Sequence, residues 1–152
     1  MLVSSTERLL LTLWVGSLWA IGYIAVPVAF ASLADTAIAG NYAGKLFSAV
    51  NLLGLGCGSV LLLTMLVRFG RQSLTAWRLW VILVMVALTL VFSFYLQPEI
   101  VAIKQMDWQQ DSDLAERFSL LHTISKNLYM VVSLLGLTLV ITTDKLLNQL
   151  RA

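Results

Sequence analysis

Of the 152 residues, 59% are hydrophobic and only 12% charged, against about 45–50% apolar and about 25% charged in soluble domains; so few charges cannot clothe a water-facing surface. The net charge is +2 with the lysines and arginines scattered singly or in pairs, which excludes the basic patch that DNA or RNA requires. The single cysteine, Cys57, cannot close an intrachain disulfide, and a zinc site needs clustered Cys and His that the chain lacks.

The uncharged run from Leu9 to Phe30 covers the roughly 20 residues that a helix needs to cross hydrocarbon and is predicted as the first span. A signal peptide is the competing reading, since Ala29, Phe30 and Ala31 have the form of a cleavage site, but its apolar region is usually about 7–15 residues, and Glu7 weakens the basic start. Pro27 lacks an N–H and is expected to kink or end the helix, with Trp14 and Tyr23 at opposite interfaces. Ala31 to Lys45 reads as a loop with at most one helical turn, in which Gly40 and Gly44 let a neighbour approach closely. Leu46 to Val67 is the second span. Its Gly54 and Gly58 have the GxxxG spacing that lets two helix backbones close together. On the outer half of this span lie Ser48 and Asn51, and an amide in lipid needs an interhelical partner.

Arg68, Arg71 and Arg78 bracket an acid-free loop, and Trp77 and Trp80 head the third span, Leu79 to Leu96. Arginines beside tryptophans mark a cytoplasmic interface. With four spans, the N-terminus, this loop and the C-terminal tail share one side, where Arg8, Arg68, Arg71, Arg78, Lys145 and Arg151 stand against Glu7 and Asp144. The opposite side holds Lys45, Lys104, Arg117 and Lys126 against Asp35, Glu99, Asp107, Asp111, Asp113 and Glu116. The cation-rich side is predicted to be cytoplasmic, with both termini inside, in a bacterial inner (plasma) membrane.

Pro98 is expected to bend the chain before a mixed segment, Glu99 to Gln110, whose Ile100 and Ile103 want cover. Asp113 is predicted as the N-cap of the fourth helix, with Glu116 completing a capping box and Arg117 forming an ion pair one turn on. A helix from Asp113 to Asn148 would run roughly 50 Å, against about 30 Å of hydrocarbon, so its first turns and the segment after Pro98 should protrude as a hairpin. The predicted fold is all-α: residues 1–152 as one domain, a four-span antiparallel bundle with an outer helical hairpin extending helices three and four.

The stretch from Glu116 to Gly136 holds the one histidine, His122, where a charged segment runs into an apolar one. On a helix His122, Ser125, Lys126, Tyr129 and Ser133 share one face. Two readings of His122 stand side by side. In one it is a neutral imidazole satisfied by Ser125, Asn51 or a backbone carbonyl, and Lys126 reaches water, a headgroup phosphate or Asp35. In the other, His122, Lys126, Tyr129, Asn51 and Ser125 line an outward-facing polar pocket for a small solute or a metal ion, with His122 as the metal ligand. Gly54, Gly58 and Pro27 are assigned to helix packing. No nucleophile stands at a spacing that pairs it with a base, so the chain is read as non-enzymatic.

A set of short motifs adds a likeness: Trp14-Val15-Gly16 in the first helix, Pro27 and Phe30 at its end, Ala39-Gly40 with Ala43-Gly44 and Phe47 before the second, and Phe118, His122 and Ser125 opening the fourth. Together these resemble the transmembrane-protein-205-like family, a membrane domain of unknown function, over nearly the whole chain. The resemblance implies a small multi-pass membrane protein without an assigned activity; the association of one eukaryotic member with platinum-drug resistance hints at metal or solute handling. More distantly the chain is similar to bacterial copper-resistance membrane proteins and haem-pathway membrane oxidases, which share a Trp-x-Gly first helix with a proline and aromatic exit. Those proteins use histidines as ligands, whereas the first helix here carries Leu10, Leu13 and Trp14 and no histidine. Haem or copper is therefore not favoured, although His122 with Met106 or Met130 is a chemically allowed pair. Besides solute binding, two further roles remain open: an accessory subunit whose GxxxG face or outer hairpin docks a membrane partner or a second copy, and a haem or copper redox protein.

Overall fold

The computed structural model describes residues 2–106 and 110–142, with side chains from Ser5 onward. The first helix, α1, covers residues 2–32 in three pieces: Leu2–Ala20, a wide π turn at Ile21–Ala25, and Val26–Ser32. Helix α2 is Thr36–Phe69. A 3₁₀ turn, Gly70–Thr75, leads into α3, Trp77–Lys104, itself built from Trp77–Val91, a second π turn at Phe92–Leu96, and Gln97–Lys104. Helix α4 is Ser112–Ile141. All four are long and apolar enough to cross a membrane, and no strand occurs among the described residues. Around the bundle α1 packs on α2 and α4, and α3 packs on the same two, so each helix meets antiparallel neighbours. The end carrying Gly70–Thr75 is called the base below, and the end carrying the connections at 33–35 and 105–111 the tip.

Both prolines act through the same local device. A proline in a helix has no N–H to give and its ring collides with the carbonyl four residues back. Widening the turn to i→i+5 bonding relieves that collision while keeping neighbouring donors occupied. The residue just before each proline makes the wide bond: Val26 N–H donates to Ile21 O, and Gln97 N–H donates to Phe92 O. The helices therefore continue past Pro27 and Pro98. The expectation that Pro98 ends the third span is corrected: the span runs on to Lys104.

Three further boundaries differ from the sequence reading. The expected loop from Ala31 to Lys45 shrinks to residues 33–35, because the Asp35 carboxylate accepts from Ala37 N–H at 2.7 Å and Ile38 N–H at 3.4 Å and starts α2 there. Gly40 and Gly44 thus lie within a helix, facing Lys104 and Gln97 of α3. The N-cap of α4 is Asp111, which accepts from Asp113 N–H at 2.9 Å and Leu114 N–H at 3.3 Å, rather than Asp113. Arg117 pairs with Glu99 at 2.6 Å instead of with Asp113. The expected end of the fourth helix at Asn148, and the tail residues Asp144, Lys145 and Arg151, lie outside the described residues, as does Asp107.

At the tip the end of α3 and the start of α4 pack together as a helical hairpin. Ile103 is buried against Leu121, with Ile100 and Phe118 beside them, which covers the two isoleucines that the sequence left bare. The Arg117–Glu99 pair crosses the same hairpin but is largely exposed, so it contributes only about 0–1 kcal/mol.

The main core sits nearer the base and is organised by Trp14, which is 0% exposed. The pair Gly54 and Gly58 on α2 forms a slot that its indole fills, and a side chain at Gly58 would also strike Val86. The GxxxG spacing therefore seats an aromatic ring rather than a bare helix backbone. Trp14 is correspondingly no interfacial anchor, contrary to expectation. At Gly136 a methyl would stand 2.8 Å from Val15 Cγ2, so α1 and α4 also close on a glycine. Gly70 ends α2 at φ 50, a left-handed conformation that glycine adopts without strain. At the base Arg78 is buried, with Nη1 3.5 Å from Thr142 Oγ1.

Gly58→Val is expected to destabilise the bundle by about 1–3 kcal/mol through overpacking against Trp14. Gly56→Ala, where a methyl meets nothing within 4 Å, should be neutral or stabilising by up to about 1 kcal/mol. Thermal unfolding in detergent compares the two, and equal midpoints would count against the slot.

Candidate functional site

The stripe predicted on α4 is real as a face, but the bundle treats its two halves differently. Toward the base, α1 covers it. Tyr129 O–H donates to Leu18 O at 2.5 Å, and its ring reaches α1 because Gly22 has no side chain there to collide with it. One turn further, Ser133 is fully buried; its Oγ is 2.7 Å from Tyr23 Oη, and its carbonyl accepts from Trp19 Nε1 at 3.3 Å. The Tyr23, Tyr129 and Phe47 rings follow one another at 6.3 and 5.0 Å, and Phe47 meets Phe92 of α3 at 6.2 Å. An aromatic node from all four helices thus closes the middle of the bundle.

Toward the tip the stripe is open. Past the π turn, Val26–Ser32 packs chiefly on α2, leaving the flank of α4 uncovered. His122 and Lys126 lie exposed on that flank. The imidazole stacks on Phe118 with ring centroids 5.9 Å apart and an interplanar angle of 8°. It does not satisfy Ser125 or Asn51. Ser125 Oγ and Asn51 Nδ2 are buried without a hydrogen-bond partner, as is Ser93 Oγ. Their placement follows from helical spacing: Ser125 is one turn toward the tip from Tyr129, Asn51 one turn toward the base from Phe47, and Ser93 adjoins Phe92. The three orphaned atoms therefore bracket the aromatic node. An unpartnered buried polar group costs about 1–3 kcal/mol.

Two residues that sequence reasoning passed over complete the picture. Gln97 Nε2 donates to Gly44 O at 3.0 Å and to Ser48 Oγ at 3.1 Å, tying α3 to α2 at the level of the second π turn. Lys104 is partly buried, and its ammonium lies over Gly40, 3.3 Å from where a Cβ would stand. Because Ile103 packs against Leu121, the next residues on the two helices, Lys104 and His122, flank one seam. Both Lys104 and Lys126 are near enough to act electrostatically on His122. The only signal of Lys104 in the sequence was a cation directly following an isoleucine that needed cover. Asp35, offered as a partner for Lys126, is instead the cap of α2.

No group of three or more His, Cys, Asp or Glu that could hold a metal occurs among the described residues. Met130 lies eight residues from His122 on the same helix, about 12 Å of rise, so these two cannot flank one haem iron. A groove of about 260 Å³ lies elsewhere, between α1 and α4 nearer the base; Thr12, Val15, Gly16, Trp19, Leu137 and Val140 line it. Its walls are apolar apart from Thr12.

Residues 9–109 match a domain of unknown function, DUF4149. The chain belongs to the DUF4149 family. The DUF4149 match takes in nearly all of α1 with α2 and α3, hence Pro27, Asn51, Gly54, Gly58 and Lys104, and stops before α4 with His122, Ser125, Lys126 and Tyr129. No curated protein and no solved structure matches the chain. The DUF4149 description carries no activity, and the comparisons add nothing on the transmembrane-protein-205-like, copper-resistance or haem-pathway likenesses.

Tyr23→Phe and Ser133→Ala should be non-additive in stability, with a coupling of about 1 kcal/mol, because they share one hydrogen bond. Tyr129→Phe, which loses the bond to Leu18 O, should cost about 1 kcal/mol. Unfolding of the single and double variants in one detergent measures both.

Proposed function

We propose that this DUF4149 protein is a non-enzymatic membrane protein that binds a small solute at its tip, admitted between Val26–Ser32 and the uncovered flank of α4. The observation that carries the reading is the combination of exposed His122 and Lys126 with the orphaned polar atoms of Ser125, Ser93 and Asn51 below them. In a bundle bathed in lipid, three such atoms bracketing one node mark where a ligand or its water supplies the missing bonds. His122 and Lys126 form the entrance, Ser125 the first inner contact, and Tyr129 the floor that separates it from Asn51. A metal ion is the less favoured ligand for His122, because Lys104 and Lys126 repel a cation there. A partner docking through Gly54 and Gly58 is also disfavoured, since Trp14 fills that slot; a partner or a second copy would be left the tip hairpin.

The tip would face outward. Arg68, Arg71 and Arg78 lie at or beside the base connection, while Asp35, Glu99, Asp111, Asp113 and Glu116 gather at the tip. That asymmetry supports a cytoplasmic base with both termini inside, and a bacterial inner membrane as the setting. The likeness to the transmembrane-protein-205-like family fits the same solute-handling role.

His122→Ala is expected to leave the ligand-free thermal midpoint unchanged and to abolish the midpoint shift caused by whichever small ion or solute, screened against the detergent-purified protein, stabilises the parent. Asn51→Leu should raise the ligand-free midpoint by removing an unpartnered amide, a gain of about 1 kcal/mol or more. A ligand-induced shift that survives His122→Ala discards the reading.

A further inference from the structure

We propose that Lys104, His122 and Lys126 together form a binding site for a phosphate group, which rests on the reading of the tip as a solute site. Two helices contribute to it. Lys104 comes from the end of α3, and the Ile103–Leu121 packing sets it beside His122 across the α3–α4 seam. Lys126 stands one turn along α4 from His122, on the flank that the redirected end of α1 leaves open. The ammonium of Lys104 occupies space that any side chain at Gly40 would narrow. The imidazole lies nearly parallel to the Phe118 ring, with its edge exposed.

The charge balance at the tip gives the site its sign. Among the described residues neither lysine, nor His122 between them, has a carboxylate partner. Three of the acids at the tip are engaged elsewhere: Glu99 is held by Arg117, and Asp35 and Asp111 are held by the backbone N–H groups they cap. Two uncompensated ammonium groups at the rim of a low-dielectric bundle repel one another, and an anion between them reverses the sign of that interaction, with the neutral imidazole adding one N–H donor. A phosphate offers several strong acceptor oxygens to separate donors, and lysine binds it as a point charge. The height is also suitable, since Lys126 lies where an apolar span meets the charged tip, the level at which lipid headgroup phosphates run. A headgroup phosphate and free inorganic phosphate share this chemistry.

The test uses the full chain in a phosphate-free maltoside detergent, with inorganic phosphate, a short-chain phosphatidic acid, and the diacylglycerol of the same chains as probes. Native mass spectrometry counts bound lipid, and thermal midpoints follow inorganic phosphate against chloride at equal ionic strength. Phosphatidic acid should bind and diacylglycerol should not. K104Q combined with K126Q should weaken phosphatidic acid by about tenfold or more, and K45Q, on an exposed lysine outside the cluster, should leave it unchanged. Competition by inorganic phosphate at the same residues identifies a soluble phosphate ligand, and binding of the lipid alone identifies a headgroup; either supports the site. Equal loss in K45Q, or parental affinity in the double variant, overturns it. If phosphate probes fail while another solute still binds in a His122-dependent way, the phosphate assignment falls alone; if no solute depends on His122, the solute reading falls with it.

Discussion

In hydrocarbon a peptide group has no water to fall back on, so every donor and acceptor that a proline disturbs must be accommodated within the chain. That constraint shapes this bundle twice. Pro27 and Pro98 each follow a π turn, and in each case the residue before the proline reaches five positions back for its acceptor. The first of these turns redirects the end of α1 onto α2 and away from α4, which is why the same α4 face is sealed at Tyr129 and open at His122. The second sets Gln97 against Gly44 and Ser48 and carries α3 on to Lys104. The tip owes its shape to how two missing N–H groups were absorbed.

Below that level the bundle is held by shape rather than by polar bonds. Trp14 fills the Gly54–Gly58 slot, and Gly136 brings α4 close to Val15. Small residues matter here because lipid provides little hydrophobic drive between helices, leaving close contact and dispersion to hold them. The hydrogen bonds that do cross between α1 and α4 cluster at Trp19, Tyr23, Tyr129 and Ser133, immediately beside the π turn. The hydrogen-bonded part of the α1–α4 contact thus ends where the open flank begins.

The spans were legible because length and apolarity decide them, and four of the predicted runs are helices that can cross a membrane. The start of α2 was not, since Gly40, Asn41, Gly44 and Lys45 read locally as a loop; the Asp35 cap and packing against Gln97 and Lys104 override that local preference. The competing aspartates at 111 and 113 illustrate the same weakness at α4, where only the side chain that reaches two backbone N–H groups is the cap. Periodicity correctly grouped His122, Tyr129 and Ser133 on one face, but it is silent on what another helix lays over that face. Lys104 was invisible for the same reason: its place beside His122 comes from the Ile103–Leu121 contact between helices.

The limits of the family match sharpen what α4 contributes. The matched region contains both proline devices, the Trp14 slot and Lys104, whereas the histidine, the second lysine and Tyr129 come from the helix beyond it. Helices α1 to α3 set the geometry: they fix where α1 departs, how far α3 extends, and which flank of α4 is exposed. Helix α4 then supplies the exposed polar groups of that flank, His122 and Lys126. A change in α4 confined to His122 and Lys126 would alter the chemistry of the tip without touching Trp14 or either π turn, because both side chains lie exposed, away from the core that those features organise.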